Sequence, residues 1–255
     1  MKRCPKSPEE PRGLRTFRKE NPIGSWEEFR HWNEGKDYDD TRTALFRDQG
    51  GLCAFCEIQP RRENRQIAHF HPKSDRSGDR NWALDWSNLW LACKGGTQSW
   101  MYGNPEEFLP PLPENRSCDE AKTDQILDDE ILAPHEIPAF PRIFRYEQQP
   151  DEIRIAPDAE NCHAAGVPPE KVQRTIKVFN LNCSRLCQAR LAFLRGMEQQ
   201  VKRLREVGAS PETFRLLVFR FLRKSDGIWP KFFTLSRWRL RKISEDFLSS
   251  IDYEG

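Results

Sequence analysis

No run of apolar residues in this chain approaches the length needed to span a bilayer, so nothing in it reads as a membrane anchor. The opening Met1-Lys2-Arg3-Cys4-Pro5 leads into proline and charge and offers no apolar stretch for a signal peptide, which points to the cytoplasm. Internal repeats and low-complexity tracts are absent, so the chain is not built by stacking one unit. Net charge is small as well: 41 Lys and Arg against 39 Asp and Glu leave a formal +2. That total hides a local imbalance, because Asp119 to Glu130 is acidic and Arg215 to Lys242 is basic. A near-neutral sum therefore does not exclude nucleic acid, since one basic face can neutralise phosphates. Hydrophobic residues make up 37% of the 255, and sixteen Phe and eight Trp supply core material that a disordered chain lacks.

What the chain does have is eight cysteines. In a reducing compartment a disulfide framework is not expected, and closely spaced cysteines favour metal over cross-links. Cys53-Ala54-Phe55-Cys56 places two thiols on one knuckle, half of a tetrahedral site, and Cys93 and Cys118 can supply the other half. Read alone, Cys53 and Cys56 could be a redox pair, but the Gly50-Gly51 approach lacks the strand-to-helix setting of such motifs. Cys4, Cys162, Cys183 and Cys187 lie outside this group. Cys183 and Cys187, one helical turn apart, read as small buried hydrophobes; a second metal site from Cys162, His163, Cys183 and Cys187 is the alternative use.

Between the cysteines stand His69, in Ala68-His69-Phe70-His71-Pro72, and Asn88. A neutral imidazole can activate water against a phosphodiester, and an asparagine on the next element can hold the loop that orients it. The scissile phosphate also calls for a divalent cation to offset developing charge. Without the cysteines and Asn88, a lone histidine would read as a structural residue.

The coarse pattern has an extended, Pro- and Arg-rich start, then a helix opened by Ser25 with Glu28 as a capping box and closed by Gly35. Asp39 or Asp40 caps a second helix that Gly50-Gly51 stops. Two short elements over 52–58 and 65–70 flank a polar turn and are expected to form a β-hairpin or a zinc-knuckle turn, followed by a polar loop over 75–80 and a helix over 84–93. A Gly/Pro-rich insertion follows over 95–113, and a short helix opens near Cys118. From Pro134 to Pro157, prolines alternate with apolar residues as strand and loop, and beyond Pro168 the spacing is helical with a break at Asn180 to Asn182. Phe214 to Leu222 and Phe232 to Leu248 give further amphipathic helices whose stripes can meet a partner, and Trp229 to Trp238 offers aromatic faces for bases or for helix packing.

The blocks Gln49 to Cys56, Ile67-Ala68-His69-Phe70-His71-Pro72-Lys73-Ser74, Asp85-Trp86-Ser87-Asn88-Leu89 and Ser117-Cys118-Asp119-Glu120-Ala121-Lys122 resemble the HNH endonucleases of the PtuB type. Those belong to Septu and retron-associated anti-phage systems. The resemblance reaches most of the chain, through Ile131 to Pro134, Phe144-Arg145-Tyr146 and Phe179 to Leu186. It implies an α+β fold: a zinc-stapled ββα-metal core over 39–135, with an arm and short helix over 1–38 and a wrapping and helical region over 136–255 for partner docking.

It further implies Cys53, Cys56, Cys93 and Cys118 as structural Zn²⁺ ligands, His69 as general base, Asn88 as the middle asparagine, and Lys122 in the catalytic group. A catalytic Mg²⁺ or Mn²⁺ would fall to His71 and Asp119. The implied partners are a PtuA-like ATPase, a retron reverse transcriptase with its msDNA, and a DNA or tRNA substrate, with no membrane. Two positions depart from the family pattern: Ala68 stands where an acidic residue commonly precedes the base, and Asp119 and Lys122 occupy the region of the last histidine. The alternative is a non-catalytic zinc-stabilised module that binds nucleic acid or recruits a partner.

Overall fold

A computed structural model describes residues 1–97 and 112–255; the predicted insertion over 95–113 lies largely outside the described residues. The architecture is α+β, helices around two small antiparallel sheets. Among the described residues no helix is long and apolar enough to cross a membrane.

The start of the chain is irregular only as far as Pro11, then forms α1 (Arg12–Glu20), correcting the expectation of an extended arm there. Leu14 and Phe17, three apart within a charged run, are the helix's buried stripe, and Phe17 packs on Phe29 at 5.4 Å between centroids. Upstream, the ammonium of Lys6 sits between the rings of Trp86 and Trp90, 4.3 and 4.6 Å from their centroids. It donates to the carbonyls of Trp86 and Leu89, and burial lowers its pKa to about 7. The capping box of Ser25 and Glu28 opens α2 (Trp26–His31) as expected. Helix α3 (Lys36–Asp48) begins a turn earlier than predicted, after Gly35, so Asp37 and Asp39 fall in its first turn where the helix dipole favours acids. Gly50 ends it at φ 62°, and a Cβ there would lie 2.3 Å from Trp229.

The central sheet differs from the prediction in two respects. Of the two forms expected for 52–58, the segment is the knuckle turn and not a hairpin strand: Cys53 N donates to Ile58 O at 2.9 Å and Glu57 N to Cys53 O at 3.1 Å, with Glu57 at φ 63°. The expected helix over 84–93 is instead a short 3-10 turn capped by Asp85, followed by β2 (Leu89–Cys93). A five-residue apolar run bounded by a turn fits a strand buried on both faces as well as a helix, and all five residues here are buried. β2 pairs antiparallel with β1 (Arg65–His69), from Arg65 opposite Cys93 to His69 opposite Leu89. After the insertion comes α4 (Asp119–Lys122), so strand, strand and helix follow in the ββα order with each part displaced by one element.

β3 (Phe144–Gln148) and β4 (Ile153–Pro157) form the second sheet, and α5 (Ala159–Ala164), α6 (Pro169–Val178) and α7 (Ser184–Glu206) follow it. The predicted break falls at Asn180, φ 45°, whose side chain donates to the carbonyls of Glu114 and Arg116. Last come α8 (Pro211–Arg220), α9 (Phe233–Leu240) and α10 (Lys242–Ser250), the latter two separated at Arg241. One core joins the cysteine knuckle, both strands of the second sheet, α6 and α7; Phe55 stacks on Phe179 at 4.2 Å. Trp229 is buried against Phe233 and Tyr253, so packing rather than base stacking is its use.

Glu57 ties the C-terminal helices to the knuckle. Its backbone carbonyl accepts from Phe232 N at 3.0 Å, and its buried carboxylate accepts from Thr234 N at 2.8 Å, from the Thr234 hydroxyl, and from the Met1 amine at 3.2 Å. Burial alone would raise its pKa, but the amine's charge and the Thr234 bonds hold it below the ordinary value. Thr234→Val keeps the shape and removes one donor to a buried charge; a loss of about 1–3 kcal/mol is expected in urea unfolding at unchanged m.

Candidate functional site

Three separate segments deliver four thiols to one point. Cys53 and Cys56 come from the knuckle, Cys93 from the end of β2, and Cys118 from the residue that precedes α4. The knuckle docks on β2 through Ala54 N to Leu91 O, and Gln49 clamps it there by bonding Leu52 O and both main-chain groups of Leu91. Cys118 is held at φ 59°, ψ −136°, a region nearly reserved for glycine, with its amide on Phe179 O at 2.8 Å. All four are buried and free of disulfides.

Sulfur to sulfur, Cys53–Cys118 and Cys93–Cys118 are 3.8 Å apart and Cys56–Cys93 is 3.7 Å, all four falling within 4.8 Å of one another. Four sulfurs at about 2.3 Å from a central ion form a tetrahedron with edges of about 3.8 Å, so the donor set can hold a metal such as zinc. Left to themselves the thiols resist joint ionisation: burial raises Cys56 and Cys118 well above the ordinary thiol range, while the hydrogen bonds of Cys118, Cys53 and Cys56 lower Cys93. A cation would supply the missing charge. Cys162, His163, Cys183 and Cys187 make no such group among the described residues; Cys183 and Cys187 are buried apolar fillers as expected.

His69 ends β1 and is 8% exposed. Its Nε2 lies 3.1 Å from the Ala83 carbonyl, which has no proton to give, so Nε2 carries the hydrogen and Nδ1 the lone pair. Trp26 packs edge-on against the ring at 4.5 Å. Burial depresses the imidazole's pKa to about 4, with Lys73 and Lys122 adding to the effect and the Ala83 bond and Asp124 opposing it. Ala68, one residue earlier, is fully buried with Trp90 and Ala92 in the core that holds the knuckle. Strand alternation turns it to the opposite face from His69, so its small side chain belongs to the packing there.

Asn88 bonds the backbone beside His69 rather than the imidazole. Its Oδ1 accepts from His71 N at 2.6 Å, and its Nδ2 donates to His71 O at 2.9 Å and Trp82 O at 2.8 Å. The ring of His71 stacks on Trp82 at 3.9 Å and faces two carboxylates, Asp75 at 2.8 Å from Nε2 and Asp128 at 3.0 Å from Nδ1. Asp119 lies elsewhere in the group: burial raises its pKa to about 6, against the opposing charge of Lys122 and Lys73. Lys122 is buried among Asp119, Asp128 and Asp124, and burial lowers its pKa. Asp75, Asp124, Asp128, Trp82 and Lys73 are thus neighbours of the site that sequence reading did not assign. Three of them stood in plain view as members of a polar loop and an acidic run, read there only as charge.

No family profile matches the chain. A protein of Escherichia coli, whose name gives it provisionally as the HNH endonuclease of retron Ec83, is 35% identical over 214 residues, which span 76% of this chain and 79% of that protein.

Two outcomes are expected from this geometry. Asn88→Ala should speed amide exchange at His71 and cost about 1–3 kcal/mol, since buried partners lose their bonds. The unfolded chain takes up the His69 proton near pH 6.5 and the folded chain only near pH 4. Stability should therefore be insensitive to this group above pH 6.5 and fall as pH drops through that window. An NMR titration of His69 with a midpoint near 6.5 in the folded protein would contradict this.

Proposed function

This chain belongs to the HNH endonuclease family that includes the retron Ec83 protein, and from that membership we propose that it hydrolyses nucleic-acid phosphodiesters with His69 as general base. The observation that most supports the reading is the state of His69: Nε2 is committed to the Ala83 carbonyl and burial keeps the ring neutral, so Nδ1 is available as a base at physiological pH. Nδ1 would take a proton from water as the water oxygen bonds to phosphorus and the opposite P–O bond breaks. Asn88 fixes the segment that follows His69, and Lys122, with Lys73, would offset charge gathering on the phosphate oxygens, both cations acting already on His69.

Zn²⁺ is the ion we assign to Cys53, Cys56, Cys93 and Cys118, where its role is structural. A catalytic Mg²⁺ or Mn²⁺ would supply charge at the phosphate. Outside the cysteines, the described residues hold no converged set of three donors for one. His71 and Asp119 are our candidates to help hold it, with Asp75 and Asp128 already on His71.

In context, we read the chain as the effector of a cytoplasmic anti-phage complex, working with a PtuA-like ATPase and, in a retron setting, with a reverse transcriptase and its msDNA. Helix α8 supports a docking role: none of its residues is fully buried, and Leu216 is 63% exposed. The substrate is DNA, or tRNA in the retron setting.

His69→Ala should lower cleavage of DNA or tRNA by about 10²–10⁴-fold, with zinc content and circular dichroism unchanged. Cleavage retained by this variant would remove the assigned base. A wild-type complex inactive on both substrates with Mg²⁺ and Mn²⁺ would favour a non-catalytic zinc module.

A further inference from the structure

Four thiolates around a divalent ion leave a net charge of −2, and a buried centre of that charge needs compensation from its surroundings. A buried cation that acts on these thiols lies outside the nuclease core. Arg185 lies in the first turn of α7, 1% exposed, and its Nη2 donates to Ser117 Oγ at 2.5 Å. That hydroxyl lies 3.6 Å from Cys118 Sγ, so the guanidinium reaches the sulfur through one intermediary. Its Nε is completely buried and finds no hydrogen-bond partner among the described residues, a feature it shares with Nε and Nη1 of Arg190, so the contact through Ser117 is what distinguishes it.

The loop after Cys93 is shaped around this side chain. A Cβ at Gly96 would stand 3.1 Å from Arg185 Nε, and one at Gly95 would stand 2.1 Å from the Ser117 carbonyl oxygen. Ser117 N in turn donates to Gly95 O at 2.9 Å. Two glycines in positive-φ conformations therefore clear the path along which Arg185 and Ser117 approach the thiols.

We propose that Arg185 is the counter-cation of the metal–tetrathiolate centre, acting through Ser117 on Cys118, so that metal binding fastens α7 to the nuclease core. This rests on the reading of the four cysteines as a zinc site. Arg185 is a positioning residue and touches no substrate.

The test uses the full chain with zinc and cobalt(II). Zinc content is measured by mass spectrometry, affinity by competition with a chromophoric chelator, and ligation by the cobalt–thiolate charge-transfer band. Arg185→Met should weaken zinc affinity about 10–100-fold, the range seen when partners outside the ligand shell are removed. Ser117→Ala should weaken it less, and Arg185→Lys should fall between. Arg190→Met removes an equally buried arginine of the same helix, whose charge bears on Cys187 and Tyr146, and should leave metal affinity unchanged.

Unchanged affinity in folded Arg185→Met overturns the proposal. Should that variant fail to fold, unchanged affinity in both Arg185→Lys and Ser117→Ala overturns it equally. Wild-type protein without zinc would instead overturn the metal reading beneath it.

Discussion

Everything around the site depends on four sulfur atoms meeting within a few ångströms although their residues span 65 positions of the chain. The sheets are small: each has two strands, a size that is marginal in isolation. A knuckle, a strand end and a strained residue before a one-turn helix must all be held at once, and no backbone ladder joins the three. A tetrahedral metal site does this with few residues; structural zinc is worth about 10–16 kcal/mol in finger peptides near neutral pH. Cys118 holds an unfavourable backbone conformation at the point where its sulfur joins the other three.

The two faces of the central sheet divide the work. One face, with Ile67, Leu89 and Leu91, packs on Leu14, Phe17, Trp26 and Phe29, and this is the side on which His69 meets Trp26. Ala68, Trp90 and Ala92 face the knuckle and the C-terminal helices. That division accounts for the missing acid before His69: at this position the chain invests in packing. The carboxylates of the site come instead from the loop just after β1, with Asp75, and from the stretch around α4, far from β1 in sequence.

Much of this was legible beforehand because it was local. The knuckle, the capping box at Ser25, the glycine stop after α3 and the break at Asn180 each rest on residues a few positions apart. Cys53 and Cys56 were grouped by their spacing, and Cys93 and Cys118 joined them through the family resemblance. Leu84 to Cys93 could not be resolved by periodicity, because a short apolar run buried on both faces has no period to read. Asp75, Asp128 and Arg185 were illegible for another reason: their roles come from what lies across the fold, and in sequence they are ordinary charged residues. The α1 stripe of Leu14 and Phe17 was obscured by the arginines and lysines around it.

The pairing of β1 with β2 gives the cysteine cluster a second consequence. Cys93 and Leu89 have the same parity along β2, and Leu89 stands opposite His69. A slip by one residue would turn both away from their partners together. The four-sulfur corner thus works as a datum point: it lies at one end of β2, and the ladder carries that position about 14 Å along the strand to the imidazole opposite the other end.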